Sequence, residues 1–125
     1  MRILVCEDHE SIRGMIETLV QASGHQVVGV ALGTKAVELA ITDNFDVLLL
    51  DLMLPGMDGF DVCERLRANE KTKSMPIFVI SAMDDPASRE RAASIGATAF
   101  YGKPFNSIQL LEDIAKLGRS RAESA

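Results

Sequence analysis

Val47-Leu48-Leu49-Leu50-Asp51 is a run of four aliphatic residues that ends on a carboxylate. Neighbouring side chains in a strand point to opposite faces, so an unbroken aliphatic run is apolar on both. It therefore reads as the central strand of a parallel sheet. Pro55, Gly56 and Gly59 follow and mark a loop. A third helical pattern then starts with Phe60, Cys63 and Leu66.

The same unit recurs on either side. Upstream, Ile3 to Cys6 reads as a strand, and Ile12, Met15, Ile16, Leu19 and Val20 recur at helical spacing until Gly24. Val27 to Ala31 is a second strand, and Thr34 is placed to cap a helix turning Ala36, Val37, Ala40 and Ile41 inward. Downstream, Pro76 to Ile80 is a fourth strand. Asp85 and Pro86 look like a cap and first helical position, opening a helix with a weak apolar face. Ala99 to Tyr101 is a short fifth strand, and Ile108, Leu111, Ile114 and Leu117 pattern the last helix. Five strand-then-helix units imply a doubly wound α/β fold, a five-stranded parallel sheet with helices on both faces. One domain over residues 1–118 is expected, with 119–125 as a flexible tail or the start of a linker.

Composition narrows the function. The 125 residues are 47% hydrophobic, which suits a packed core. There are 13 basic against 18 acidic residues, a net charge of −5, which argues against direct nucleic-acid binding. No apolar run is long enough to span a membrane, and no signal peptide is visible, so a cytoplasmic protein is the default. Cys6 and Cys63 lack CxxC spacing and read as buried small hydrophobes.

In open α/β sheets, sites form beyond the carboxyl ends of the strands. The first strand ends in Glu7-Asp8, the third in Asp51, the fourth in Ser81, and the fifth runs to Lys103. Clustered carboxylates repel, and a divalent cation is the natural remedy. Oxygen ligands and a phosphate partner favour Mg²⁺, with Mn²⁺ as the alternative. Strands lie roughly 4.8 Å apart, so adjacent first and third strands would let Asp8 and Asp51 share one ion. Lys103, two strands from Asp51, could cross the roughly 10 Å between backbones with its stem, with the Ser81 hydroxyl between them. These groups suit attack of Asp51 on phosphorus, with the metal and Lys103 neutralising the equatorial oxygens and water near the metal later hydrolysing the acyl phosphate.

The motifs resemble those of response-regulator receiver domains of two-component signalling, in the CheY-like superfamily. Ile3-Leu4-Val5-Cys6-Glu7-Asp8 looks like the family's first strand and acidic pair. Asp51-Leu52-Met53-Leu54-Pro55-Gly56-Met57-Asp58-Gly59 looks like its phosphoacceptor loop, and Ile80-Ser81-Ala82 like its hydroxyl followed by a small residue. Gly96-Ala97 through Phe100 to Lys103-Pro104-Phe105 looks like its terminal motif. The resemblance runs from about Arg2 to Leu117.

It implies a flavodoxin-like (βα)5 fold with strand order 2-1-3-4-5. It implies Asp51 as phosphoacceptor, Asp8 as a direct metal ligand, and Glu7 positioning the ion, with water between them as one arrangement. The Met53 carbonyl would be a further ligand. Lys103 would pair with the phosphoryl group, and the Lys103-Pro104 bond is often cis in the family. The donor would be a sensor histidine kinase or a phosphotransfer protein. Ser81 and Phe100 would switch an output surface on the fourth helix, fifth strand and fifth helix, toward an unknown target, and the phosphorylated form would be a candidate for dimerisation. The acidic pair is Glu-Asp rather than Asp-Asp, and the hydroxyl is Ser rather than Thr.

Plainer readings stand beside these. Asp58 reads as a helix cap, Asp84 and Asp85 as a solvated turn and cap, His9 as a surface residue and His25 as a loop residue. The methionines read as filler, although Met53 and Met83 are placed to flank the site and tune water access. A small metal-dependent phosphohydrolase would want a general acid two residues after the nucleophile, where Met53 stands. A receiver-like module that is never phosphorylated would usually lack Asp51, Asp8 or Lys103, and all three are present. The chain would catalyse only its own phosphorylation and dephosphorylation.

Overall fold

The computed structural model describes the backbone of residues 1–124 and the side chains of residues 1–120. Five strands and five helices alternate: β1 (Arg2–Cys6), α1 (Glu10–Ala22), β2 (Gln26–Val30), α2 (Gly33–Thr42), β3 (Val47–Leu50), α3 (Gly59–Ala68), β4 (Ile77–Ser81), α4 (Pro86–Ile95), β5 (Ala99–Gly102) and α5 (Ser107–Ser124). The strands form one sheet in the order β2-β1-β3-β4-β5, every neighbour parallel. Cys6 lies opposite Leu50, and Ser81 opposite Gly102. The carboxyl ends of β1, β3, β4 and β5 therefore open on one rim.

All four residues of β3 are buried, as a central strand requires. Alternate residues of the sheet feed two cores. One holds Leu4, Leu48, Leu50 and Val79 against Ala36 and Ala40 of α2, Phe60, Val62 and Leu66 of α3, and Ala92 of α4. The other holds Ile3, Val5, Leu49 and Ile80 against Ile16 and Val20 of α1 and Leu110 and Ile114 of α5. Both cysteines are free and buried. Burial, reinforced by the charges of Asp51, Glu7 and Asp8, pushes the Cys6 thiol up to about 12, so it stays a neutral packing group.

Two local expectations are corrected. Thr34 does not cap α2: the helix starts two residues earlier than such a cap would allow, at Gly33, with Leu32 at the cap position and no side-chain cap bond. The Leu32 carbonyl accepts from the Ala36 amide and so starts the ladder itself. In α5 the inward face is Leu110 and Ile114, with Leu117 half-buried, while Ile108 points to solvent and is 70% exposed. Spacing by threes from Ile108 drifts off a face that repeats every 3.6 residues. The same helix continues to Ser124, through the polar stretch set aside as a tail, whose last residue, Ala125, lies outside the described residues.

α4 is held differently at its two ends. Asp85 caps its start, accepting from the Ser88 amide and the Ser88 hydroxyl, and Pro86 follows. Only Ser88 and Ala92 of the helix are buried. At the other end Gly96 closes the helix with φ of 117°, a left-handed conformation that glycine adopts without cost. The guanidinium of Arg67 on α3 donates to the Gly96 carbonyl through both Nε and Nη2, and to the Thr72, Lys73 and Met75 carbonyls through Nη1. One side chain thus ties together the end of α3, the loop into β4 and the end of α4.

Candidate phosphoacceptor site

The strand ends place the polar groups. The Asp51 amide donates to the Cys6 carbonyl at 3.0 Å, which sets the end of β3 beside the end of β1. Asp51 is 5% exposed and its Oδ1 accepts from the Met53 amide at 3.1 Å. Glu7 is 2% exposed, its amide bonded to the Val30 carbonyl of β2. Ser81, the last residue of β4, is fully buried, and its Oγ accepts from the Met83 amide at 3.1 Å. The Lys103 amide donates to the Ser81 carbonyl, and the Lys103-Pro104 bond is cis.

Lys103 crosses the rim from its far side. Its Nζ donates to Asp51 Oδ2 at 3.2 Å and to Glu7 Oε1. Burial pushes the Lys103 ammonium down, but the hydrogen bond to Glu7 and the charge and hydrogen bond of Asp51 outweigh it and hold it above the ordinary lysine value. Two buried carboxylates thereby share one cation, which such groups need to remain charged away from water. The reach from Lys103 to Asp51 is the one expected from strand spacing. The contact with Glu7 is new, because β1 and β5 are separated by two strands and sequence adjacency gives no sign of it.

Asp8 and His9 complete the near side. Asp8 is half-buried, and its Oδ1 is shielded from solvent without a hydrogen-bond partner among the described residues. His9 precedes α1; its amide donates to Glu7 Oε2 at 3.1 Å. Its ring Nδ1 lies 3.4 Å from Glu7 Oε2 and 3.5 Å from Asp8 Oδ1. Glu7, Asp8 and His9 present ligand atoms all within 4.8 Å of one another. A buried carboxylate oxygen lacking a donor, beside a second carboxylate, fits a divalent cation. Asp51 is not part of that close group: it is turned to Lys103.

Phe100 and Tyr101 lie on opposite faces of β5. Phe100 packs with the α2–α4 core under the guanidinium of Arg89, whereas Tyr101 packs with the α1–α5 core beside Phe78 and donates to Asp113. Met53 is exposed at the rim and Met83 is half-buried. Asp58 and Asp85 act as the helix caps they were read to be. His9 is exposed, as expected, yet belongs to the acidic group.

A doubly wound sheet in this order, with carboxylates and a lysine gathered at the carboxyl ends of its strands, defines a class of α/β signalling domain. The family model of the response regulator receiver domain matches residues 3–115, and the chain belongs to that family. It is a receiver domain of two-component systems, a signalling domain rather than a classical catalyst. The response regulator PleD of Caulobacter vibrioides is 35% identical over 94% of this chain, which spans 26% of that protein. The transcriptional regulatory protein GltR of Pseudomonas aeruginosa is 34% identical over 94% of this chain, which spans 48% of it. The chain thus spans less than half the length of these curated relatives. Among solved structures, the chemotaxis protein CheY4 of Vibrio cholerae superposes with a TM-score of 0.86 at 30% identity, covering 93% of this chain and 97% of that one. The receiver domain of a sensor histidine kinase of Pseudomonas aeruginosa, with a magnesium ion coordinated in its active site cleft, gives 0.86 at 30% identity, covering 94% and 97%. Among the described residues, no helix is long and apolar enough to cross a membrane.

Proposed function

We propose that this chain accepts a phosphoryl group on Asp51 from the phosphohistidine of a sensor kinase or phosphotransfer protein, with a divalent cation bound, in the cytoplasm. An Asp51 oxygen attacks phosphorus, the phosphorus–nitrogen bond of the donor breaks, and its electron pair returns to the imidazole. Lys103 then neutralises phosphoryl oxygens, and the Ser81 hydroxyl donates to one of them. Asp8, Asp51 and the Met53 carbonyl would hold Mg²⁺ or Mn²⁺, with Glu7 helping to position it. When bound, the ion supplies positive charge against the phosphoryl oxygens.

The observation that carries this reading is a carboxylate at the end of the central strand, almost fully buried, with the Lys103 ammonium 3.2 Å away. A purely structural ion pair does not need that place at the rim. Phosphorylation adds roughly −1.5 to −2 charge at neutral pH. Ser81 moving toward the new oxygens would pull its loop, and Phe100 would turn into the space vacated. The readout surface is then α4, β5 and α5, toward a downstream target or a second copy, and the signal is a shift between two pre-existing states.

The test is the intact mass after incubation with a small acyl-phosphate donor, with and without Mg²⁺, for the parent chain and Asp51→Asn. One metal-dependent phosphoryl adduct, absent from the variant, is expected. No adduct from either a small donor or a phosphohistidine protein would point instead to a module that works by binding alone.

A further inference from the structure

We propose that the free edge of β2 pairs with β2 of a second copy of this chain, antiparallel about a two-fold axis at Val28, so that two sheets become one. The contact lies away from Asp51 and does not depend on the chemistry there.

The backbone supplies the first part of the case. β2 closes one side of the sheet and pairs with β1 alone. The Gln26 amide donates to the Met1 carbonyl, and the Val30 carbonyl accepts from the Glu7 amide, each at 3.0 Å. Backbone groups alternate in direction along a strand, so Gln26, Val28 and Val30 turn theirs toward β1, while Val27 and Gly29 turn theirs outward. Such a row of open donors and acceptors templates another strand, and proteins commonly blunt it with charge, proline or a bulge. From Gln26 to Gly33 there is no charged residue and no proline, and the register with β1 is regular along the whole strand.

An axis at Val28 matches the side chains to that backbone. Val27 of each copy then faces Gly29 of the other, and each such pair exchanges both of its N–H···O bonds. Val28 meets its own counterpart between them, as the pair whose side chains come closest. Val28 is 36% exposed, and Leu32, where the uncharged strip nears its end, is 51% exposed. Val30 packs with the α2–α4 core and Val27 with the α1–α5 core, so Val28 stands on the α2 side of the edge. On the α1 side Gly29 has no side chain, and Glu17 lies over it with Arg13 Nε 3.6 Å from its carboxylate to balance the charge. Two copies of a chain of net charge −5 repel, and an uncharged strip is where they approach at least cost. A second copy suits the edge because two-fold pairing satisfies the same groups on both chains at once.

Sedimentation velocity of the parent from about 10 µM to about 1 mM should show a rise toward the mass of a dimer, the range suited to a contact smaller than a standard interface. Val28→Lys sets like charges opposite each other at the axis and should weaken association by at least about tenfold. Val28→Thr keeps the branched side chain and should retain it. Asp51→Asn should associate as the parent does. Amide exchange on the parent needs no variant: Val27 and Gly29 should slow with rising concentration, while Val28 and Val30 stay protected throughout. A parent that is monomeric over the whole range overturns the proposal and leaves the edge to a strand from another protein. A dimer whose Val27 and Gly29 amides exchange as fast as in the dilute chain, or one that Val28→Lys forms equally well, overturns it too.

Discussion

The guanidinium of Arg89 on α4 lies over the ring of Phe100 on β5, 4.6 Å from its centroid. Its Nε also donates to the Asp84 carbonyl at 3.1 Å, in the loop that follows Ser81. The start of α4, the loop after β4 and the aromatic residue of β5 are thus joined through one side chain. Such a cation–π contact at an exposed position is worth about 0.5–1 kcal/mol. Arg89→Ala should lower stability by about that amount and speed amide exchange in the first turns of α4, with α1 unchanged. Exchange in α4 equal to that of the parent would show the contact to be incidental.

Lys103→Met should cost more. Glu7, at 2% exposure, and Asp51, at 5%, would be left buried without the cation between them. Removing one partner of a buried charge group costs about 3 kcal/mol. Urea unfolding of the variant should show a loss of that order, and a loss below about 1 kcal/mol would mean that water already screens the pair.

Gly59→Ala tests the close approach of α3 to the Asp51 loop. A Cβ at Gly59 would lie 2.3 Å from the Asp51 carbonyl oxygen and 2.6 Å from Leu52 Cα. These are backbone atoms and cannot swing away. The Gly59 amide is bonded to the Leu52 carbonyl, so the two segments are also pinned together. Overpacking of this kind costs typically about 1–3 kcal/mol. We expect a lower thermal midpoint together with slower phosphorylation by a small donor, because the shift displaces Asp51 itself. An unchanged midpoint would show that the loop yields freely.

Tyr101 gives an optical handle on β5, being the only tyrosine in a chain without tryptophan. Burial first, and then its hydrogen bond to Asp113 and that residue's charge, hold the phenol well above its ordinary value of 10.0. The folded value exceeds the unfolded one, so the stability Tyr101 contributes is complete below about pH 10 and is lost as pH rises beyond it. Phenolate absorbance should therefore appear only above pH 10 in the folded chain, and Asp113→Asn should move it down. A midpoint at the free-tyrosine value in the folded parent would refute the contact.

Much of this arrangement was legible in residue order. Val47 to Leu50 marks the central strand, and four strand ends carry the polar groups that meet at the rim. Lys103 reaches Asp51 as strand spacing allows. What sequence could not show depends on side chains crossing between elements distant in the chain. Arg67 and Arg89 look like solvated helix residues, and only the assembled fold brings Gly96 and Phe100 under their guanidinium groups. Lys103 meeting Glu7 is of the same kind. The misplaced face of α5 has a different cause: several aliphatic residues compete for one narrow stripe, and only packing against the sheet chooses Leu110 over Ile108.

The five bonds of Arg67 have a mechanical consequence. Two of them hold α4 at Gly96 and three fix the guanidinium itself to the loop before β4, while the opposite end of the helix rests on the Asp85 cap and on Arg89, which lies over Phe100 and donates to the Asp84 carbonyl. A rod fixed at one end is a lever. Ten helical residues span about 15 Å, so a tilt of about 10° around Gly96 carries the Pro86 end roughly 2.6 Å. Displacement is then largest beside Ser81 and vanishes at the far side of the sheet, and the bearing on which the helix turns is an arginine remote from the chemistry.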